Sequence, residues 1–310
     1  MALDPEAQAV LDELARRQQA QPEPRSDAET LANARAMTNG LADFSGPAAP
    51  MAKITDIAIE GAGAAIPVRL YRSTDRPRLP LLVWYHGGGG MAGSLESHHA
   101  ALAQLAEATG RAVASVGYRI APEHPYPAPP ADCLAATRAL IARAAALGCD
   151  PARIAIGGDS IGGLFAAHVA LSLRNAGTAM PQALVMLYPN TDLRPGRPWS
   201  SLTDESGHVM TVESLAYEND LYIPAVADRY SPGASPLLAP DLSGLPPTLL
   251  VTSEHDPLRD EGEAFAARLG EAGVAVTHAR EQGMIHGFLQ MGGWIRRTAA
   301  LRARIAAFLA

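Results

Sequence analysis

Arg153-Ile-Ala-Ile-Gly157-Gly158-Asp159-Ser160-Ile161-Gly162-Gly163 is the stretch whose reading decides the fold. A short apolar run, Ile154 to Ile156, ends in two glycines, and a serine follows, flanked by more glycine. Leu164, Phe165, Ala166, Ala167, Val169, Ala170 and Leu171 then give an alanine-rich helical pattern. The local order is strand, sharp turn, helix, with G-x-S-x-G from Gly158 to Gly162 on the turn. A serine there holds a strained backbone, and bulk two positions before or after it would collide with neighbouring chain. The turn lifts the Ser160 hydroxyl clear of the sheet and places the Ile161 amide at a helix N-terminus, where negative charge is stabilised. The motif alone also fits a phosphate-binding or merely structural turn. The flanking strand and helix are the context that a nucleophile requires.

Outward from this stretch the chain alternates. Leu81-Leu-Val-Trp-Tyr85 is a continuous apolar run, the mark of a central buried strand. A helix over 100–109, a strand over 112–118 and a helix over about 130–147 follow. After the helix that ends near Asn175 come strands at 183–188, 248–252 and 274–279, with a helix at 263–272 before the last. Trp294 to Leu309 reads as a closing amphipathic helix. Ahead of this, Ile54–Ile59 and Ile66–Tyr71 alternate with period two, as antiparallel strands joined through Gly61-Ala-Gly63. β-α alternation implies a largely parallel sheet with helices on both faces, and chemistry gathers at the carboxyl ends of such strands.

Two further stretches stand apart. Residues 1–50 offer a helix opened by Pro5, with Val10, Leu11 and Leu14 on one face, and a second from about Asp27 to Met37. Ser26 and Glu29 fit a capping box for the second. Two short amphipathic helices form no core alone, so they must lie on the body. The segment from about Asp192 to Ala227 is less regular, with helical pieces.

The strand ends carry chemistry. The Leu81–Tyr85 strand delivers His86-Gly87-Gly88-Gly89-Gly90, poor helix and strand material whose backbone can approach a ligand and aim amides at it. Acyl transfer needs such donors for its negatively charged tetrahedral intermediate. The Thr248 strand delivers Glu254, Asp256 and Asp260. Asp256, in the turn just past the strand, is the acid of choice; Asp260 suits the first turn of the next helix. Beyond the last strand, Glu281-Gln-Gly-Met-Ile-His286-Gly287-Phe288 presents the one histidine of nine in a loop just beyond that strand with glycine beside it. Serine, aspartate and histidine follow in the chain order of sheet hydrolases.

Composition excludes several classes. The 310 residues suffice for one large α/β domain, and 48% apolar content argues against disorder. A net charge of −7 gives no reason to expect nucleic acid or an anionic membrane as partner. No apolar run approaches the roughly 18 residues of a membrane span. The first residues lack the apolar run of a signal peptide. Cys133 and Cys149 have no metal-ligand spacing and read as reduced core thiols, so a cytoplasmic protein is expected. The pair His98-His99 reads as a helix start rather than a metal site, since adjacent residues do not face one point.

His86-Gly-Gly-Gly89, Gly158-Asp-Ser-Ile-Gly-Gly163, Asp256-Pro-Leu-Arg-Asp-Glu-Gly262, His286-Gly-Phe288, Tyr118-Arg-Ile-Ala-Pro-Glu-His124 and Leu3-Asp-Pro-Glu6 together resemble the bacterial hormone-sensitive-lipase-like family (family IV) of α/β-hydrolase esterases. The resemblance spans nearly the whole chain. It implies the α/β-hydrolase fold: a mostly parallel eight-stranded sheet, helices on both faces and a helical cap. Residues 1–50 and an insertion at about 192–227 would make the cap, and 51–310 the catalytic domain. It implies Ser160 as nucleophile, His286 as base and Asp256 as its orienting partner. The amides of Gly88, Gly89 and Ile161 would form the oxyanion hole, with Gly87 an alternative to Gly88. The family usually has alanine where Ile161 stands, so the larger side chain is expected to narrow the acyl side of the pocket. His86 is expected to bond within the glycine turn, and Glu123 to lie in a buried loop near the site. The implied substrate is a small ester with a short-to-medium acyl chain, cleaved without metal or organic cofactor. Family habit allows a homodimer through the final strand edge. An amidase or peptidase with the same three residues, and a small-molecule receptor on the same fold, are the alternatives.

Overall fold

The computed structural model describes residues 2–61 and 63–310. Asp4 accepts the Glu6 amide at 2.8 Å and, with Pro5 in the first turn, starts α1 (Pro5–Ala20). Ser26 starts α2 (Asp27–Asn39) by accepting the Glu29 amide at 3.2 Å. The return bond of the expected capping box is displaced by one residue: the Glu29 carboxylate takes the Arg25 amide, at 2.6 Å. β1 (Lys53–Glu60) and β2 (Ala65–Arg72) pair antiparallel, Ile54 opposite Tyr71 and Ile59 opposite Ile66. Of the turn between them, Ala62 lies outside the described residues.

The remaining strands are β3 (Leu79–Tyr85), β4 (Ala112–Val116), β5 (Cys149–Asp159), β6 (Ala183–Leu187), β7 (Thr248–His255) and β8 (Val276–Ile285). The eight strands form one sheet in the order β1-β2-β4-β3-β5-β6-β7-β8, and every pair from β4 to β8 is parallel. The helices are α3 (His99–Thr109), α4 (Ala128–Arg143), α5 (Ile161–Asn175), the short α6 (Ser201–Asp204), α7 (Val212–Tyr222), α8 (Arg259–Glu271) and α9 (Arg297–Phe308). The apolar run in β3 is explained by burial on both faces. Leu81, Val83 and Tyr85 join one core with Leu140 of α4, Phe165 of α5 and Phe265 of α8, while Leu82 and Trp84 join the other with Leu105 of α3 and Leu301 of α9. α1 buries Ala7 and Val10 in that second core. Both cysteines are buried and free. No helix among the described residues is long and apolar enough to cross a membrane.

Element ends differ from expectation where polar side chains interrupt the apolar pattern. β8 does not stop at Ala279: its backbone keeps pairing with β7, Thr252 opposite Arg280 and His255 opposite Ile285, through Arg280, Glu281 and Gln282. His286 therefore leaves the strand end directly. α8 begins at Arg259, four residues early, because Asp256 Oδ1 accepts the Leu258 amide at 2.8 Å and its carbonyl the Arg259 amide at 3.0 Å.

α5 crosses β3 with almost no clearance. A Cβ on Gly162 would lie 2.0 Å from the Tyr85 carbonyl oxygen, backbone that cannot move aside, whereas a Cβ on Gly270 in α8 would meet nothing within 4 Å. Gly162→Ala is therefore expected to lower the unfolding free energy by about 3 kcal/mol. Gly270→Ala should hold it or raise it by up to about 1 kcal/mol. Urea denaturation of both variants checks this; equal midpoints would contradict the close crossing.

Candidate active site

Ser160 sits between β5 and α5 with φ +56° and ψ −126°. Its amide donates to the Leu187 carbonyl at 2.9 Å, and its own carbonyl accepts from Gly163 at 2.9 Å and Asn190 at 3.3 Å, so the strained turn is held from both sides. A Cβ on Gly158 would lie 2.2 Å from the Gly162 oxygen, which accounts for the glycine two positions before the serine.

Asp256, fully buried just past β7, faces His286 Nδ1 at 2.8 Å through Oδ2. His286 Nε2 lies 2.9 Å from Ser160 Oγ. With the carboxylate accepting, Nδ1 carries the proton and the Nε2 lone pair faces the serine hydroxyl. Burial pushes His286 down, but Asp256 above all, then Glu218 and Asp159, hold it above the ordinary 6.5. The other two acids near β7 are engaged elsewhere: Asp260 accepts from the Ser201 amide at 2.9 Å, and Glu254 from the Gly283 amide at 2.7 Å.

The glycine loop lies beside Ser160. Gly88, Gly89 and Gly90 have φ of +125°, +60° and +74°, a run of left-handed backbone that other residues rarely adopt. The amides of Gly88 and Gly89 donate to no acceptor among the described residues, and the Ile161 amide, first in α5, has no intrahelical acceptor. The Gly87 amide is aimed at His98 Nε2, 3.3 Å away. His86 bonds within the turn as expected: its Nδ1 lies 2.8 Å from the Gly87 carbonyl, and its ring stacks on Tyr118 with centroids 4.1 Å apart. Burial lowers His86 to about 3, so it is neutral.

Beneath the loop lies a side chain that sequence reasoning passed over. Asp159 is buried, receives the Trp84 indole N–H at 2.9 Å and pairs with His98 Nε2 at 3.1 Å. Burial raises its pKa, yet His98 and then Trp84 outweigh that and leave it below the usual carboxylate value. α3 does start at His99, as expected, but the ring of His98 turns inward to this carboxylate. In the sequence it was simply the residue before a helix. Glu261, in the Asp256–Gly262 motif, is likewise buried and accepts the Thr191 amide at 2.7 Å, which ties the strand-end loop after β6 to α8; burial raises it to about 7.

Two expectations fail. The Ile161 side chain packs in the main core and is not part of the cavity wall. Glu123 is exposed rather than buried: Arg35 of α2 holds it at the surface through an ion pair of 2.5 Å.

Ser160 and His286 open onto a cavity of about 500 Å³. Its walls include Leu14 of α1, Met37 of α2, Val209, Met210 and Tyr217 of α7, so both stretches set apart in the sequence face the site. Glu218 of α7 also reaches it, a side chain to which the sequence reading gave no role. Glu205, His208 and His255 are the group of side chains among the described residues close enough to hold a metal ion. None of them lines the cavity, and the Glu205 oxygens already meet Arg259 and His255, each at 3.0 Å.

Sheet order, elbow serine and the Ser160–His286–Asp256 array together define an α/β-hydrolase. A family model described as alpha/beta hydrolase fold matches residues 82–290, and the chain belongs to that family, in its hormone-sensitive-lipase-like branch. The chain is 41% identical over 237 residues to an ethyl acetate hydrolase of Pseudomonas putida, covering 75% of this chain and 74% of that one. It is 39% identical to the carboxylesterase NlhH of Mycobacterium tuberculosis, covering 72% and 71%. Among solved structures, a hyperthermophilic esterase from the archaeon Pyrobaculum calidifontis superposes with a TM-score of 0.92 at 37% identity, covering 100% of this chain and 98% of that one.

The array makes a prediction that needs no substrate. In Ser160→Ala protein, the His286 ring followed by NMR should titrate above 6.5, and Asp256→Asn added to it should bring the midpoint down, since the group holding the proton is gone. An unchanged midpoint would break the proposed pairing.

Proposed function

We propose that the protein is a carboxylic ester hydrolase that works by acyl transfer through Ser160. The observation that carries this reading is the series Asp256–His286–Ser160, at 2.8 and 2.9 Å, opening onto a cavity beside three amides that meet no acceptor among the described residues. The names of its relatives, ethyl acetate hydrolase and carboxylesterase, support the ester as substrate.

Ser160 Oγ attacks the ester carbonyl while His286 Nε2 takes its proton. Asp256 fixes the imidazole in the tautomer that leaves Nε2 free and stabilises the imidazolium that forms. The carbonyl oxygen becomes an oxyanion held by the amides of Gly88, Gly89 and Ile161. Gly88 is preferred to Gly87, whose amide is aimed at His98. Removing one such donor typically costs about 2.7–4 kcal/mol of transition-state stabilisation. His286 then protonates the departing alcohol, and the acyl group stays on Ser160. Water, deprotonated by His286, attacks the acyl-enzyme; the serine leaves with its proton restored and the acid is released. Residues 1–50, with α1 and α2, and the insertion at about 192–227 act as the cap. A cavity of about 500 Å³ with Leu14, Met37 and Met210 in its wall suits an ester with a short-to-medium acyl chain.

The test is a panel of p-nitrophenyl esters from acetate to laurate, with matched anilides, on wild type and Ser160→Ala. Wild type should favour the shorter half of the series and cleave anilides poorly. Ser160→Ala should keep the circular dichroism of wild type and lose about 10⁴-fold or more in kcat/KM. Substantial turnover by the alanine variant would remove Ser160 from the mechanism, and anilides cleaved as fast as esters would reassign the enzyme as an amidase.

A further inference from the structure

α7 lies directly on the glycine loop. A Cβ on Gly90 would meet the Tyr222 ring at 2.9 Å, and one on Gly89 would lie 2.4 Å from Glu218 Oε2. The Glu218 carboxyl therefore sits over the backbone that is offered to the reacting carbonyl. It accepts no hydrogen bond from the described residues; burial raises it to about 7, and His286 is the charged group that opposes that rise. Among the described residues, no Lys or Arg lines the cavity. Its other acids are Asp159, already bound by Trp84 and His98, and Glu23, exposed at the outer wall. The remaining titratable groups that face Glu218 are His286 at the end of β8, with Asp256 behind it, His98 at the start of α3 and Tyr217 on α7 itself.

Glu218 is half-buried, and its carboxyl reaches the cavity, so a carboxylate there is drawn partly out of bulk water with no donor from the described residues to replace the lost hydration. A neutral ester leaves that demand unmet, an anionic one adds repulsion, and a cationic one meets it. We propose that Glu218 is the recognition group for esters that carry a cationic nitrogen on a short arm near the reacting carbonyl. This rests on the ester-hydrolase reading above. Binding such an ester below about pH 7 releases the proton of Glu218, so KM for cationic esters falls as pH rises through that range. KM for an uncharged isostere does not follow.

The experiment uses pairs that differ only in charge, on wild type and Glu218→Gln. On the acyl side the pair is p-nitrophenyl trimethylammonio-butanoate and its all-carbon isostere. On the alcohol side it is butyrylcholine and dimethylbutyl butanoate. In at least one pair the cationic-to-neutral ratio of kcat/KM should drop about tenfold or more in Glu218→Gln, as loss of a charged partner implies. The p-nitrophenyl half-ester of glutarate, anionic, should gain in the same variant. A ratio unchanged within about twofold in both pairs would overturn the proposal, whatever the absolute rates. If wild type turns over none of these esters, the ester reading fails on its own. Calorimetric binding of tetramethylammonium to wild type but not to Glu218→Gln would then still uphold the site, and equal binding would sink it.

Discussion

The structure depends on a steric constraint at one turn. The first turn of α5 must pass over the last residues of β3 at a distance that excludes even a methyl group, since a Cβ on Gly162 would stand 2.0 Å from a carbonyl oxygen. That closeness holds Ser160 in a left-handed conformation that its own side chain disfavours. Strain of this kind, of order 1–3 kcal/mol, persists only where the surroundings over-determine it. Here they do so through the carbonyl of Leu187, the amide of Asn190 and glycines on either side. The consequence is chemical: the hydroxyl meets His286 at the cavity, and the Ile161 amide next to it begins α5 without an intrahelical acceptor.

Charge is managed around this turn rather than avoided. Asp159, next to the serine in sequence, is buried beneath the glycine loop and held by Trp84 from β3 and His98 from the start of α3. One carboxylate thereby fixes the relative positions of strand end, glycine loop and helix. Asp256 has a matching arrangement on the other side, with one oxygen on the Leu258 amide and the other on His286. Both acids are fully or almost fully buried, and both have polar partners, which is the condition for burying such groups at all. Glu218 departs from that pattern. Its carboxyl enters the same cavity and has no donor among the described residues, which singles it out as a group shaped for something outside the chain.

Much of this could be read from residues alone, and the reasons are physical. The two-sided burial of Leu81–Tyr85 follows from a strand without polar alternation. The elbow follows from glycines at fixed distances from a serine between strand and helix, and Asp256 and His286 from their positions after successive strands. What escaped was of three kinds. β8 continues past Ala279 because backbone pairing ignores the polar side chains that broke its apolar alternation. His98 and Glu218 belong to short polar stretches at or within helices, where a side chain turned into the core or the cavity and a solvated one look the same in sequence. Ile161 and Glu123 were placed by neighbourhood, and direction decided otherwise: one side chain turns into the core, the other out to Arg35.

The central claim is that the Ser160 hydroxyl and the amides of Gly88, Gly89 and Ile161 converge on one reacting atom. Its most direct test is a crystal structure of the protein treated with a p-nitrophenyl alkylphosphonate, in which serine displaces p-nitrophenol and bonds to phosphorus. The account predicts phosphorus on Ser160 Oγ and its phosphoryl oxygen within about 2.7–3.1 Å of those three amide nitrogens. Phosphorus on another residue, or an oxygen held by Gly87 and turned away from Gly89, would contradict it.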